Sequence, residues 1–434
     1  MKHLTILIIV MVSMLGFARA GMAQAEDFVK VEDQLFTIDG DPYYFIGMNY
    51  WYGMHLAADI EIGDRERLKR ELDKFQDLGV DNLRVLASSE GPDDGLWRVV
   101  PSAMPEPGEY NETVLEGLDY LLAEMNKRDM RAVLVLNNFF QWSGGMAQYV
   151  SWATGDPIPY PIEGDYTWGE YMDYTSRFYG IEEARQWFKD YVEMLMNRKN
   201  TVNNLAYTED PTIMAWQLAN EPRGRTHPDE YFDWVQSTSD FIQQRNENQL
   251  VSLGGEGKIE PEDNTQFERV SRLSSLDYLT MHLWIENWQH YDPYNPEETF
   301  YESVGFAHGY MADHIAFAEE INKPLVLSEF GVARDNRELD PQSSTTYRDK
   351  FFTTVFESLL HLASEDGALA GYNLWSWSGE GVPEGGEYWE PGSVLTGDPP
   401  HEEQGWYGIY NHDESTLDLI REYNEELNEV IDQE

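Results

Sequence analysis

The sequence contains no cysteine. Disulfides, thiolate metal sites, cysteine nucleophiles and lipid attachment at an N-terminal cysteine are all excluded by that absence. A chain of 434 residues is long enough to hold a core without cross-links. Basic residues are scarce as well: 30 Lys and Arg stand against 79 Asp and Glu, a formal net charge of −49. Nucleic acid, itself a polyanion, is excluded as a partner on that balance. The acids are spread along the chain rather than gathered in one block, as on a solvated surface. Such a surface repels itself in dilute buffer and is relieved when salt screens it, which predicts adaptation to a saline habitat. No DxDxDG-like loop and no HExxH occurs, and Gly254-Gly255 lacks the spacing of a phosphate-binding loop. Neither a metal nor a cofactor is therefore expected.

Long apolar runs are missing too, except at the start. Lys2 and His3 precede an apolar stretch from Leu4 to Phe17, and small residues follow at Ala18, Ala20, Ala23 and Ala25. This is the pattern of a secretory signal, too short and wrongly flanked for a membrane anchor. The expected organisation is a signal over 1–25 and a single domain over 26–434, exported to the periplasm or the medium and monomeric.

What is present is a strict alternation of short apolar runs and amphipathic stretches. The runs lie at 43–51, 82–87, 131–138, 212–222, 250–257, 277–284, 324–331 and 371–379, each apolar enough for a strand buried on both faces. Helical periodicity falls at 64–78, 112–128, 182–199, 229–246, 308–321, 347–364 and 416–432. In the first of these, Leu68, Leu72, Phe75 and Leu78 share a face and Gly79 follows as a stop. Eight such units favour a closed (β/α)₈ TIM barrel over an open sheet. Residues 29–40 read as an N-terminal β-hairpin with a turn at Asp39-Gly40, placed to plug the N-terminal end of the barrel. The long connections 139–181 and 380–411 follow strands, so both belong to the C-terminal face, where such barrels carry function.

The polar ends of the strands are the place to look for chemistry. The fourth strand ends in Asn220-Glu221-Pro222, the seventh in Ser328-Glu329-Phe330-Gly331. A charge at the end of an apolar strand costs desolvation energy unless it has partners. One such Glu is read as a salt-bridged rim residue. Two, on the fourth and seventh strands, supply the pair of carboxyls that glycosidic cleavage needs: one protonates the leaving oxygen and the other faces the anomeric carbon.

The segments around these residues carry a resemblance. WQLANEP (216–222) and LVLSEFG (325–331) resemble the two glutamate motifs of clan A glycoside hydrolases, family 5 in particular. GMNYWYGMHL (47–56), NLRVLASSEG (82–91), HLWIENW (282–288), NLWSWSGEG (373–381) and EQGWYGIY (403–410) are similar to segments of its β-mannanase subfamily. These blocks run in family order through nearly the whole chain beyond residue 25. The resemblance implies that Glu221 is the acid/base and Glu329 the nucleophile of a retaining mechanism. It implies that Asn220 bonds the sugar 2-hydroxyl and that Arg84 holds Glu329 ionised. His282 would line the cleavage subsite. Trp375 would floor it, with the peptide after it often cis in the family. Where much of the family has a tyrosine supporting the nucleophile, this chain has Trp284, which resembles a sugar-binding wall instead. Trp51, Asn138, Trp142 and Trp288 are further candidates for sugar contacts or for packing. The implied activity is internal cleavage of β-1,4-linked mannan, glucomannan or galactomannan. Two alternatives stand beside it: an exo-acting enzyme releasing mannose or mannobiose, should the long loops close one end of the cleft, and a non-catalytic glycan-binding barrel.

Overall fold

The computed structural model describes residues 27–95, 97–259, 265–383 and 387–431. The expected signal over 1–25 lies outside the described residues. The chain opens with three short antiparallel strands, β1 (Lys30–Glu32), β2 (Leu35–Ile38) and β3 (Asp41–Pro42). The chain reverses at Asp33, whose φ of 56° is left-handed, and a second time at Asp39-Gly40 (φ 52° and 90°). The sequence placed one turn at Asp39-Gly40; that turn joins β2 to an additional strand, β3. Phe36 is buried against Phe45 and Tyr278, at the starts of two barrel strands, so this unit does cover the N-terminal end of the barrel.

The barrel strands are β4 (Phe45–Asn49), β5 (Asn82–Leu86), β6 (Arg131–Val135), β7 (Ile213–Gln217), β8 (Leu250–Ser252), β9 (Leu279–Leu283), β10 (Leu325–Phe330) and β11 (Leu369–Leu374). All neighbours pair in parallel. The ring closes through a bridge between Ser252 and Tyr278. Every residue of these strands is buried, as the continuous apolar runs require. Register sets Arg84 beside Asn49 and Glu329 beside His282, so polar side chains meet at the C-terminal rim.

The helices follow the apolar periodicity. The helix Arg65–Asp77 is capped by Asp64, which accepts from the Arg67 amide at 2.9 Å, a contact worth about 1 kcal/mol. It buries Leu68, Leu72 and Phe75 completely. Each such side chain contributes roughly 1.5–3 kcal/mol. Several helices depart from the sequence expectation: a short one, Gly53–Ala57, follows β4, and the 139–181 connection holds two more, Gly145–Thr154 and Trp168–Ser176. The one expected at 308–321 begins at Pro296 and runs to Glu320. A five-residue helix, Phe267–Ser271, follows β8, too short to show periodicity. The last strand expected over 371–379 is broken at Trp375-Ser376, a cis peptide bond. Beyond it β12 (Trp377–Gly379) pairs with β13 (Ile409–Tyr410), so the long 380–411 connection leaves and returns at one place.

Candidate active site

Glu221 and Glu329 sit where the fourth and seventh barrel strands reach the C-terminal mouth, and both line one cavity of about 530 Å³. Glu221 lies in the left-handed region with φ 48°. Its amide donates to Gly254 O at 2.9 Å. Gly254 has to be glycine for this crossing: a Cβ there would stand 2.0 Å from Ala219 O.

The two carboxyls share a partner. His282 Nδ1 is 2.5 Å from Glu221 Oε1 and 3.3 Å from Glu329 Oε2. One ligand atom from each of the three residues lies within 4.8 Å of the others, close enough for the trio to hold a divalent cation. Burial pulls the His282 imidazole down to about 4, against the attraction of Glu329, so the ring is neutral at neutral pH. Burial pushes the Glu329 carboxyl up, and His282 and Arg84 oppose that push.

Arg84 organises the other side. Its guanidinium forms a very short ion pair with Glu329 Oε1 and donates to Gln217 Oε1 at 2.7 Å, Asn220 Oδ1 at 2.8 Å and Asn49 Oδ1 at 3.1 Å. Asn49 in turn donates to Ser328 O at 2.8 Å. One buried cation is thus held by four side chains from three barrel strands and from the end of the fourth strand's motif. This is the partner set that a buried charge requires.

The remaining sequence candidates divide. Trp142, Trp284, Trp288, Trp375 and Asn220 line the cavity. Trp284 packs between Trp375 (6.0 Å) and Tyr407 (5.1 Å). Three candidates stand behind the wall and are not among its lining residues. His282 is fully buried; its Nδ1 bonds Glu221 and lies 3.3 Å from Glu329. Asn138 accepts from Asn220 Nδ2 at 3.3 Å and donates to Ser143, so it holds Asn220. Trp51 donates its indole N–H to Gly397 O at 2.7 Å and meets Trp142 edge-on, so it anchors the 380–411 loop.

Several lining residues were not among the sequence candidates. Arg223 and Glu256 form an ion pair at 2.7 Å beside Glu221. Burial raises Glu256 to about 8 despite Arg223. From the long loops come Phe140, Ile162 and Trp168 on one side, and Tyr388, His401, Glu402, Trp406 and Tyr407 on the other. Burial and the neighbouring Asp398 hold the Glu402 carboxyl well above its ordinary value. The 380–411 loop is tied down all round: Tyr388 meets Trp97 (5.0 Å), His401 meets Trp168 (6.0 Å), Trp406 donates to Glu286 at 3.0 Å, and Glu403 pairs with Arg337 at 2.6 Å.

A family described as GH family 5 beta-mannosidase-like matches residues 26–432. The chain belongs to glycoside hydrolase family 5. Among family 5 structures, a mannosidase from Rhizomucor miehei is 40% identical with a TM-score of 0.87, over 96% of this chain and 100% of that one. A mutant of it was solved with mannosyl-fructose. The endo-β-1,4-mannanase of Thermotoga petrophila is 25% identical with a TM-score of 0.64, over 89% of this chain and 77% of that one. Mannan endo-1,4-beta-mannosidase 5 of Arabidopsis thaliana is 29% identical over 88% of this chain and 84% of its own length. As a family 5 member the enzyme is a retaining glycoside hydrolase.

Proposed function

We propose that this family 5 enzyme hydrolyses β-1,4-mannosidic bonds with Glu221 as acid/base and Glu329 as nucleophile. The Glu221 proton passes to the glycosidic oxygen while Glu329 attacks the anomeric carbon. A water then gives its proton to Glu221 and displaces the Glu329 ester. Asn220, held by Arg84 and Asn138, bonds the 2-hydroxyl of the cleaved sugar, and Trp375 underlies its ring. His282 keeps the two carboxyls in one frame.

Beside internal cleavage stands the alternative reading, that the substrate is taken by a chain end, and one feature favours it. The observation that carries this is the 380–411 loop, seated over the mouth and touching the 139–181 loop through His401 and Trp168. The cavity has the size of a small-molecule site, about 300–1,000 Å³, rather than of an open groove. The 40% identity with a mannosidase supports the same reading, while the names of the plant relatives favour internal cleavage. Products from mannohexaose and the viscosity of galactomannan separate the two. Mannose or mannobiose from the first minutes with viscosity held supports attack at chain ends. A rapid fall in viscosity with mixed short products overturns it.

The mature chain, a single catalytic domain over 26–434, is proposed to be exported and to act in salt. No helix among the described residues is long and apolar enough to cross a membrane. The acidic excess supports work in brine. Sequencing the N-terminus of the exported protein tests the first point.

A further inference from the structure

The second half of the 380–411 loop brings His401, Glu402, Trp406 and Tyr407 to the cavity wall. This stretch, DPPHEEQGWYG (398–408), lies in no strand or helix. One side chain organises it instead. Asp398 is only 1% exposed, and a carboxyl so deep is costly to bury unless hydrogen bonds meet it. Its Oδ2 accepts from the Gly405 amide at 2.9 Å and its Oδ1 from the Tyr407 amide at 2.7 Å. These two bonds draw the returning limb of the loop onto the outgoing one. Gln404 completes the turn: its Nε2 stands 3.0, 3.1 and 3.2 Å from the carbonyl oxygens of Asp398, Pro399 and Glu402, and its Oε1 accepts from Thr396 Oγ1 at 2.5 Å. The turn is also fixed from outside. The Gly397 amide donates to Ser378 Oγ at 2.9 Å. Gly405, at φ 102°, crosses Leu339 where a Cβ would stand 2.2 Å from the carbonyl oxygen. Neither Asp398 nor Gln404 is among the lining residues.

We propose that Asp398 is a positioning residue that sets the length of substrate the enzyme takes: its two amide bonds hold residues 399–407 as a standing wall, and that wall seats the end of the mannan chain. This rests on the chain-end reading above. A mobile flap is tied at its ends and free between them. Here the ties fall in the middle of the segment, at Asp398 and Gln404, and they join it to itself. The wall also reaches the floor of the site. Trp406 lies between Arg337, 4.2 Å from its ring centre, and Tyr407, stacked at 4.6 Å. Tyr407 packs on Trp284, and Trp284 on Trp375. A bond from an amide to a charged acceptor is stronger than one to a neutral acceptor. Without the carboxylate the wall stands for only a fraction of the time. A site competent for a fraction of the time binds more weakly by that fraction. Sugar once bound holds the wall in place, so the rate from the bound state is kept.

The test compares Asp398→Ala with Asp398→Asn, which keeps the shape and one acceptor. On mannobiose the Ala variant is expected to raise KM roughly tenfold, the worth of about one hydrogen bond to a charged group, with kcat kept within about twofold. The Asn variant gives a smaller rise. On galactomannan in salt, the fall in viscosity per mannose released rises in step with KM across the two variants. Asn424→Ala loosens the closing helix, whose Asn424 bonds Ile46 O and Leu78 O toward the N-terminal end of the barrel. It is expected to lower Tm and to move neither KM nor the viscosity ratio. A loss in Asp398→Ala that falls on kcat with KM unchanged, or on Tm alone as in Asn424→Ala, overturns the proposal. Should Asp398→Ala not fold, Gln404→Ala unties the same turn and is read the same way: KM raised with kcat kept supports the proposal, and KM unchanged overturns it. The chain-end reading fails separately. If the unaltered enzyme thins galactomannan rapidly into mixed short products, that reading is lost. If the unaltered enzyme releases mannose or mannobiose and Asp398→Ala leaves the viscosity ratio where it was, the reading stands and only the role of Asp398 has failed.

Discussion

The ring of Trp168 meets that of His401 edge-on at 6.0 Å, and through this contact the two long loops touch across the mouth of the barrel. Trp168 also packs on Phe140. An aromatic pair is worth about 0.5–1.5 kcal/mol beyond its buried area. Trp168→Ala should therefore cost about two- to tenfold in kcat/KM on mannobiose. It should also raise the fall in galactomannan viscosity per mannose released. An unchanged ratio of the two would mean that this contact does not close the cavity.

Arg84 is the sole cation bonded to buried Glu329 among the described residues. Arg84→Met leaves that carboxylate unpaired, which costs about 3–5 kcal/mol. Either the pocket loses its order or Glu329 takes a proton and stops being a nucleophile. Turnover is expected to fall by about a hundredfold or more on both mannobiose and 2,4-dinitrophenyl β-mannoside, whose leaving group needs no proton, because attack by Glu329 serves both. Selective loss on mannobiose alone would contradict a role beside the nucleophile.

Lowering the pH from about 9 to about 6 should stabilise this protein. Burial raises Glu90 to about 8 and Asp81 and Asp398 to about 6. In the unfolded chain these groups titrate near about 4. Between those values the folded state holds protons that the unfolded state has lost, so stability falls as pH rises through the window and levels off above pH 8. Asp413, held below its ordinary value by Arg348 and Arg334, works the other way: its contribution is lost as pH falls below the ordinary carboxylate range. Thermal unfolding at constant high salt should give a higher Tm at pH 6 than at pH 9, and a steep fall below about pH 4. A flat profile between 6 and 9 would mean that Glu90 is not buried as described.

Salt supplies a further test. At 0.1 M the screening length is about 10 Å, and at 1 M about 3 Å. A net charge of −49 should therefore raise Tm by at least about 5 °C between 0.1 and 2 M KCl. A Tm that falls over that range would remove the case for a saline habitat.

The barrel was legible in the sequence because each of its strands is an unbroken apolar run, and Glu221 and Glu329 stand out where such runs end. Glu256 did not, because it follows Gly254-Gly255 at the end of a strand whose paired part is three residues long. Its partner Arg223 lies 33 residues earlier, and no local spacing announces an ion pair between two βα units. Glu402 and His401 belong to a loop with no period at all, so only the folded chain shows that they face the carboxyls. The helix from Pro296 was read late because Gly305 and Gly309 interrupt its pattern. Trp51 and Asn138 were rightly placed at strand ends, yet strand-end position does not tell a wall residue from the one bracing it. Asn138 braces Asn220, and Trp51 braces Gly397.

The closing helix, Glu414–Ile431, reaches back to the opening strands: Asn424 Nδ2 donates to Ile46 O at 3.3 Å and to Leu78 O at 3.1 Å. The first barrel strand also finds one of its two neighbours in β11, more than three hundred residues away. The chain must therefore be made as far as β11 before the ring can shut. Until then the N-terminal half carries an open sheet edge and an uncovered apolar face, a form suited to passing unfolded through a narrow channel and prone to aggregation if it lingers. The order in which the residues are made thus delays the native ring until β11 and the helix that covers it have been made.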